Sequence, residues 1–109
     1  MKWLTKSEEM LLLTIWRLKD DAYGVTIRKQ LMDLTGENMT YGTLYSSLDQ
    51  LSRKGYVDKR DGEPTAERGG RRKIYYTITK IGMEALEKTR ELNLQMWEGI
   101  GDLRIDSGK

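Results

Sequence analysis

Apolar positions along the chain recur first at helical and then at strand spacing. From Thr5 to about Lys19, Met10, Leu11, Leu12, Leu13, Ile15, Trp16 and Leu18 point almost all round a helical axis, so a first helix here needs cover on two sides. Thr5 with Glu8 three residues on is a capping-box start. Ile27, Leu31 and Leu34 at i, i+4 and i+7 predict a second, short helix that stops at Thr35-Gly36. Leu44, Leu48 and Leu51 repeat that spacing in a third, capped by Thr40 and ended by Gly55 just past Lys54.

The period then falls to two. Tyr56 to Arg60 reads as a short strand, and Lys73 to Ile78 sets Ile74, Tyr76 and Ile78 on one face against Tyr75 and Thr77 on the other. Asp61 to Arg72 reads as the hairpin tip between them, with Gly62, Pro64, Gly69 and Gly70 as turn formers. Thr79 caps a last helix expected to reach Ile100 or Leu103. About 22 helical residues extend roughly 33 Å, against a radius of gyration of about 13 Å for a domain this size, so the helix should overhang the body. Leu86, Thr89, Asn93, Met96, Ile100 and Leu103 step 3, 4, 3, 4, 3 with Trp97 beside them, a seam that a partner helix would cover.

Composition narrows the chemistry. At 109 residues the chain is one folding unit, and 38% hydrophobic against 33% charged residues with one proline suits a soluble helical protein. Zero Cys and zero His remove thiol nucleophiles, imidazole bases and Cys/His zinc sites. An enzyme would have to rely on Asp, Glu, Lys, Tyr, Ser or Thr, and no convergent acid pair is apparent; Glu8-Glu9 is helix-start charge. No catalysis, metal or cofactor is expected. Met10 to Trp16, the longest apolar stretch, is too short to span a bilayer, and Met1 to Leu4 leads into charge rather than a secretory core. The expectation is a cytoplasmic protein.

Net charge is only +2, but its distribution is uneven. Residues 53–73 hold eight cations, Arg53, Lys54, Lys59, Arg60, Arg68, Arg71, Arg72 and Lys73, against Asp58, Asp61, Glu63 and Glu67, a local excess of four. Helix, helix-turn-helix and hairpin in that order make a winged helix-turn-helix, in which the third helix enters a DNA major groove and the hairpin tip lies along the backbone or minor groove. With Leu44, Leu48 and Leu51 inward, Gly42, Thr43, Ser46, Asp49, Gln50 and Arg53 face outward. Small side chains near the helix start, Gly42, Thr43 and Ser46, allow close approach, Gln50 can reach base edges and Arg53 a phosphate, with Thr40 and Tyr41 as further DNA-binding candidates. An ordinary solvated helix face reads the same way. Arg68, Arg71, Arg72 and Lys73, interrupted by Gly69-Gly70, suit sugar-phosphate contact; the bland reading is a solubilising loop.

Tyr23-Gly24, Gly42-Thr43-Leu44-Tyr45, Leu51 to Val57 ending Lys54-Gly55-Tyr56-Val57, and Gly70-Arg71-Arg72-Lys73-Ile74-Tyr75-Tyr76-Thr77-Ile78-Thr79-Lys80-Ile81-Gly82 together resemble the PadR family of bacterial transcriptional regulators over nearly the whole chain. The basic, glycine-bearing wing followed by a double tyrosine and a threonine-capped helix is the distinctive part. The resemblance implies a homodimeric DNA-binding repressor, often released from its operator by a small molecule. Ser46 stands where family members commonly have proline, so the backbone and contacts of that turn are expected to differ. The single C-terminal helix looks like the short subfamily.

The fold expected is therefore mainly α with a small β-hairpin, a winged helix-turn-helix over residues 1–78 plus a long C-terminal dimerisation helix and tail over 79–109. Expected partners are double-stranded DNA with a near-palindromic operator, a second copy, and a small aromatic or hydrophobic effector, with no membrane. Leu12, Trp16, Leu86, Asn93, Met96, Trp97 and Ile100 are the candidate dimer interface. Trp3, Trp16, Asn93, Met96 and Trp97 can line an aromatic pocket between subunits or simply form interface core; Asn93 can set register or line a cavity. A winged-helix protein-interaction module without sequence-specific DNA binding is the competing reading.

Overall fold

The computed structural model describes residues 3–64 and 72–104. Four helices and one hairpin appear in the expected order. They are α1 (Lys6–Leu18), α2 (Gly24–Thr35), α3 (Tyr41–Arg53), β1 (Val57–Pro64), β2 (Arg72–Ile78) and α4 (Lys80–Trp97), with a 3-10 turn at Lys19–Asp21. Three of these helices, α1, α3 and α4, start where a threonine side chain supplies a missing acceptor. Thr5 accepts from the Glu8 amide at 3.1 Å while Glu8 accepts from the Thr5 amide at 2.9 Å, a closed capping box. Thr40 and Thr79 cap α3 and α4 in the same way, each accepting from an amide three residues on.

One core holds the helices and the hairpin together. Leu11, Leu12 and Ile15 of α1, Ile27 and Leu31 of α2, and Leu44, Leu48 and Leu51 of α3 are buried with Val57, Tyr76, Ile78 and Ala85. Ile74, Tyr76 and Ile78 face this core as the period of two predicts, while Thr77 is exposed. The Tyr76 amide also donates to the Ala22 carbonyl at 2.8 Å, and Tyr23 pairs with Tyr75, so the turn after α1 lies along the hairpin as a single-residue third strand.

Several expectations are corrected here. Leu34 is 52% exposed, so α2 buries only Ile27 and Leu31 of the predicted trio. Strand β1 continues to Pro64, beyond Arg60, and β2 begins at Arg72. Pairing runs from Val57 opposite Ile78 to Asp61 opposite Ile74, then slips through a bulge to Pro64 opposite Arg72. Side-chain propensity argues against Asp61 and Gly62 in a strand, but cross-strand backbone bonding to β2 overrides it. Gly62 is a packing glycine rather than a turn former, since a Cβ there would sit 2.4 Å from Tyr75 Cε2. Gly69 and Gly70 lie outside the described residues.

The last helix is shorter than expected and partly claimed by its own chain. It stops at Trp97, followed by Gly99 and Gly101 at φ 81° and 73°, and its 18 residues extend about 27 Å. Those left-handed values suit glycine, and they end a helix that no core contact continues. The first half of the predicted seam faces inward. Leu86 packs against the core, Thr89 is buried and accepts from the Leu4 amide at 3.2 Å, and Asn93 donates to Glu9 Oε2 at 3.1 Å. Leu12, expected at a protomer interface, is fully buried inside the chain's own core, because α1 turns that side toward α2 and α3.

Gly82 sets how closely α4 approaches. A Cβ there would lie 2.3 Å from the Tyr56 carbonyl oxygen and 2.9 Å from Ile78 Cγ2, so Gly82→Ala must push α4 off the hairpin. We expect it to cost about 1–3 kcal/mol. Gly42→Ala meets nothing within 4 Å and is expected to gain up to about 1 kcal/mol. Paired urea titrations check this, and equal midpoints for the two variants would refute the close-approach account.

Candidate nucleic-acid interface

Helix α3 presents one apolar and one polar side. With Leu44, Leu48 and Leu51 buried, Thr40, Tyr41, Gly42, Thr43, Ser46, Gln50 and Arg53 are all exposed. The two threonines are partly committed to the helix start, the Thr40 hydroxyl lying 3.0 Å from that of Thr43 and accepting from its amide at 3.2 Å. Gly42 leaves open space beside the first turn.

Two residues missed by the sequence reading support this helix. Arg28 of α2 donates from Nε to the Met39 carbonyl and from Nη2 to Asn38 Oδ1, both at 2.6 Å, fixing the turn between α2 and α3. Its guanidinium also lies 4.8 Å over the Tyr41 ring, which stacks on Tyr45 at 6.1 Å. Tyr45, 43% exposed, leans its hydroxyl against Gly24, where a Cβ would fall 2.0 Å from Oη. Local spacing carried no sign of Arg28, because its partners are ten and eleven residues away.

Beside α3 stands the root of the wing. Lys73 Nζ lies 4.4 Å from the centre of the Tyr23 ring, Tyr23 meets Tyr75 edge-on at 5.4 Å, and the Arg60 guanidinium lies 4.7 Å from the Tyr75 ring. Arg60 and Lys73 therefore each lie over a ring of the Tyr23–Tyr75 pair. Arg68, Arg71 and the side chain of Arg72 lie outside the described residues.

Carboxylates temper this charge at two points. Asp49 Oδ2 is 2.8 Å from Arg53 Nη2 and Asp49 Oδ1 is 3.1 Å from Lys59 Nζ. The hydrogen bond from Lys59 and the charge of Arg53 hold the Asp49 carboxyl below its ordinary range. Lys54 meets Glu8 Oε2, joining the end of α3 to the first turn of α1. Burial pushes the Glu8 carboxyl up, but Lys54 and the Thr5 amide outweigh it, leaving it below its ordinary value, while Glu8 holds Lys54 above its own.

Between α1 and α4 lies an open groove of about 390 Å³ lined by Leu13, Trp16, Met83 and Leu86 together with Glu9, Glu87 and Arg90. Leu13 and Trp16 form the second apolar side of α1, left exposed by the core. Of the five candidate pocket residues, Trp16 lines this groove, Asn93 is bonded to Glu9, and Trp3, Met96 and Trp97 stand exposed. Among the described residues, no three carboxylates gather where they could hold a metal ion, and no helix is long and apolar enough to cross a membrane.

Residues 12–88, from the middle of α1 to the middle of α4, match the transcriptional regulator PadR-like family. The chain belongs to the PadR-like family of transcriptional regulators. Solved structures agree with this PadR-like assignment. A PadR family transcription regulator from Clostridium difficile R20291 is 30% identical, with TM-score 0.59 over 85% of this chain and 88% of that one. A transcriptional regulator from Clostridium thermocellum is 26% identical, with TM-score 0.69 over 88% and 90%. The complex of hsRosR-S4 is 27% identical, with TM-score 0.70 over 96% and 84%. No curated protein matches the chain. The fold is thus a PadR-type winged helix, and the family is one of transcriptional regulators rather than enzymes.

The Glu8–Lys54 pair gives this fold a pH signature. Because the folded Glu8 carboxyl titrates below its ordinary value of 4.5, its stabilisation is present above that pH and is lost as pH falls through the lowered value. Lys54, raised above 10.5, keeps its charge throughout that window. Glu8→Gln retains a capping acceptor at N3 and should lower stability at pH 7 by about 0.5–1 kcal/mol. Thermal melts from pH 7 downward should show the gap from wild type closing below pH 4.5; a gap constant with pH would show that the charge contributes nothing.

Proposed function

We propose that the protein is a homodimeric PadR-type repressor in which residues 1–78 bind DNA and residues 79–109 serve dimerisation. The observation that carries this reading is the exposed face of α3, small and polar from Gly42 to Gln50, standing beside a hairpin segment with a local excess of four positive charges. Thr40, Tyr41, Gly42, Thr43 and Ser46 bring the helix start to the floor of the major groove, and Gln50 reads base edges. Arg68, Arg71, Arg72 and Lys73 grip sugar-phosphate, with Lys73 steadied by Tyr23. Two copies present their α3 helices to successive major grooves about 34 Å apart, so the operator is a near-palindrome. Occupying it blocks polymerase.

Dimerisation follows from the apolar surface that the single chain leaves open. Leu13, Trp16 and Met83 flank the groove between α1 and α4, Leu94, Met96 and Trp97 continue along the last helix, and Ile100 follows just past its end, all at least 41% exposed. A second copy covers this surface with Trp16, Met96, Trp97 and Ile100 at its centre. Trp3, Trp16, Met96 and Trp97 then border a space that admits a small aromatic or hydrophobic effector, which releases the repressor from DNA.

Titration with random duplex DNA tests the wing. Arg71→Ala with Arg72→Ala should weaken binding and reduce the slope of log affinity against log salt by about 2; an unchanged slope would show that the wing is no phosphate clamp. Trp97→Asp tests the interface in sedimentation, where a helical spectrum with monomer mass is expected. A folded variant that remains dimeric would place the interface elsewhere.

A further inference from the structure

The carboxylate on the groove-facing side of α3 needs an explanation. Asp49 lies one residue before Gln50 on the surface that the proposed function turns toward a polyanion, where an unpaired negative charge repels phosphate. It is not unpaired. One oxygen takes Arg53 Nη2 at 2.8 Å from the same helix and the other takes Lys59 Nζ at 3.1 Å from β1, while all three side chains stay 40% or more exposed. Two cations from two elements thus converge on the two oxygens of a single anion, as they would on the two free oxygens of a phosphodiester.

We propose that Asp49 is an internal stand-in for a DNA phosphate, holding Arg53 and Lys59 in a ready-made anion grip and withholding them from indiscriminate duplex. This rests on the DNA-binding reading given above. An ion pair this exposed is weak, so a correctly placed phosphate can draw the cations off Asp49. A passing duplex with no other contacts gains little from doing so, because the carboxylate it displaces is left facing its own charge. Affinity for random sequence falls, while affinity for an operator held by Gln50 and the wing falls less. Asp49 is a specificity-determining residue on this account.

The experiment is a double-mutant cycle on random 20-base-pair duplex, with fluorescence anisotropy followed over a range of salt. In the Asp49→Asn variant two cations become available. Binding should tighten about tenfold and the slope of log affinity against log salt should steepen by up to about 2, near 0.9 per phosphate neutralised. With Arg53→Ala and Lys59→Ala already in place, Asp49→Asn should no longer steepen the slope, because the two cations it would release are gone. Unchanged or weaker binding by Asp49→Asn, with the wild type binding normally, overturns the inference. That result would leave Asp49 as a tie between α3 and β1, or as an acceptor for a base. Failure of the wild-type chain to bind any duplex overturns the DNA-binding reading as well.

Discussion

A single backbone junction fixes the relative positions of every functional element. The Tyr56 carbonyl accepts from the Thr79 amide at 3.0 Å, the Thr79 hydroxyl donates to the Gly55 carbonyl at 2.6 Å, and the same hydroxyl accepts from the Gly82 amide at 3.0 Å. Gly82 has no Cβ, so α4 passes directly over the Tyr56 peptide. The turn after α3, the residue before β1 and the start of α4 meet there. In the proposed dimer, such a junction carries the spacing of two α4 helices over to the spacing of two α3 helices, as the proposed near-palindromic operator requires.

Charge is deployed against this frame in two ways. Arg60 and Lys73 lie over tyrosine rings. Arg53, Lys59 and Lys54 instead meet carboxylates of the chain itself. Among the described cations from Arg53 to Lys73 the restraint is therefore graded, from a ring face at Arg60 and Lys73 to a carboxylate at Arg53, Lys54 and Lys59. Counting residues from 53 to 73 shows the excess but not this grading.

Periodicity made the elements legible where local spacing and burial coincide. Leu44, Leu48 and Leu51 are buried and Thr40 caps their helix, so the outward face of α3 followed from the spacing alone. Where a second element decided the outcome, the reading slipped. Leu34 lies at helical spacing but no neighbour covers it, and Gly62 looked like a turn residue until the Tyr75 ring lay across it. The seam on α4 divided for a similar reason: Thr89 and Asn93 found partners in Leu4 and Glu9, more than eighty residues distant in sequence.

The sequence by itself determined the order of elements, their caps, the two-sided apolar character of α1 and the concentration of positive charge in the hairpin segment. Each is a property of residues within a few positions of one another, where the 3.6 and 2.0 periods and the capping rules operate. Only the tertiary structure decided which apolar side α1 gives to its own core, that Arg28 locks the turn before α3, and that Asp49 sits between Arg53 and Lys59. Those depend on contacts between different elements, as do the Tyr45 hydroxyl against Gly24, the Tyr75 ring against Gly62 and the Tyr56 carbonyl against Gly82.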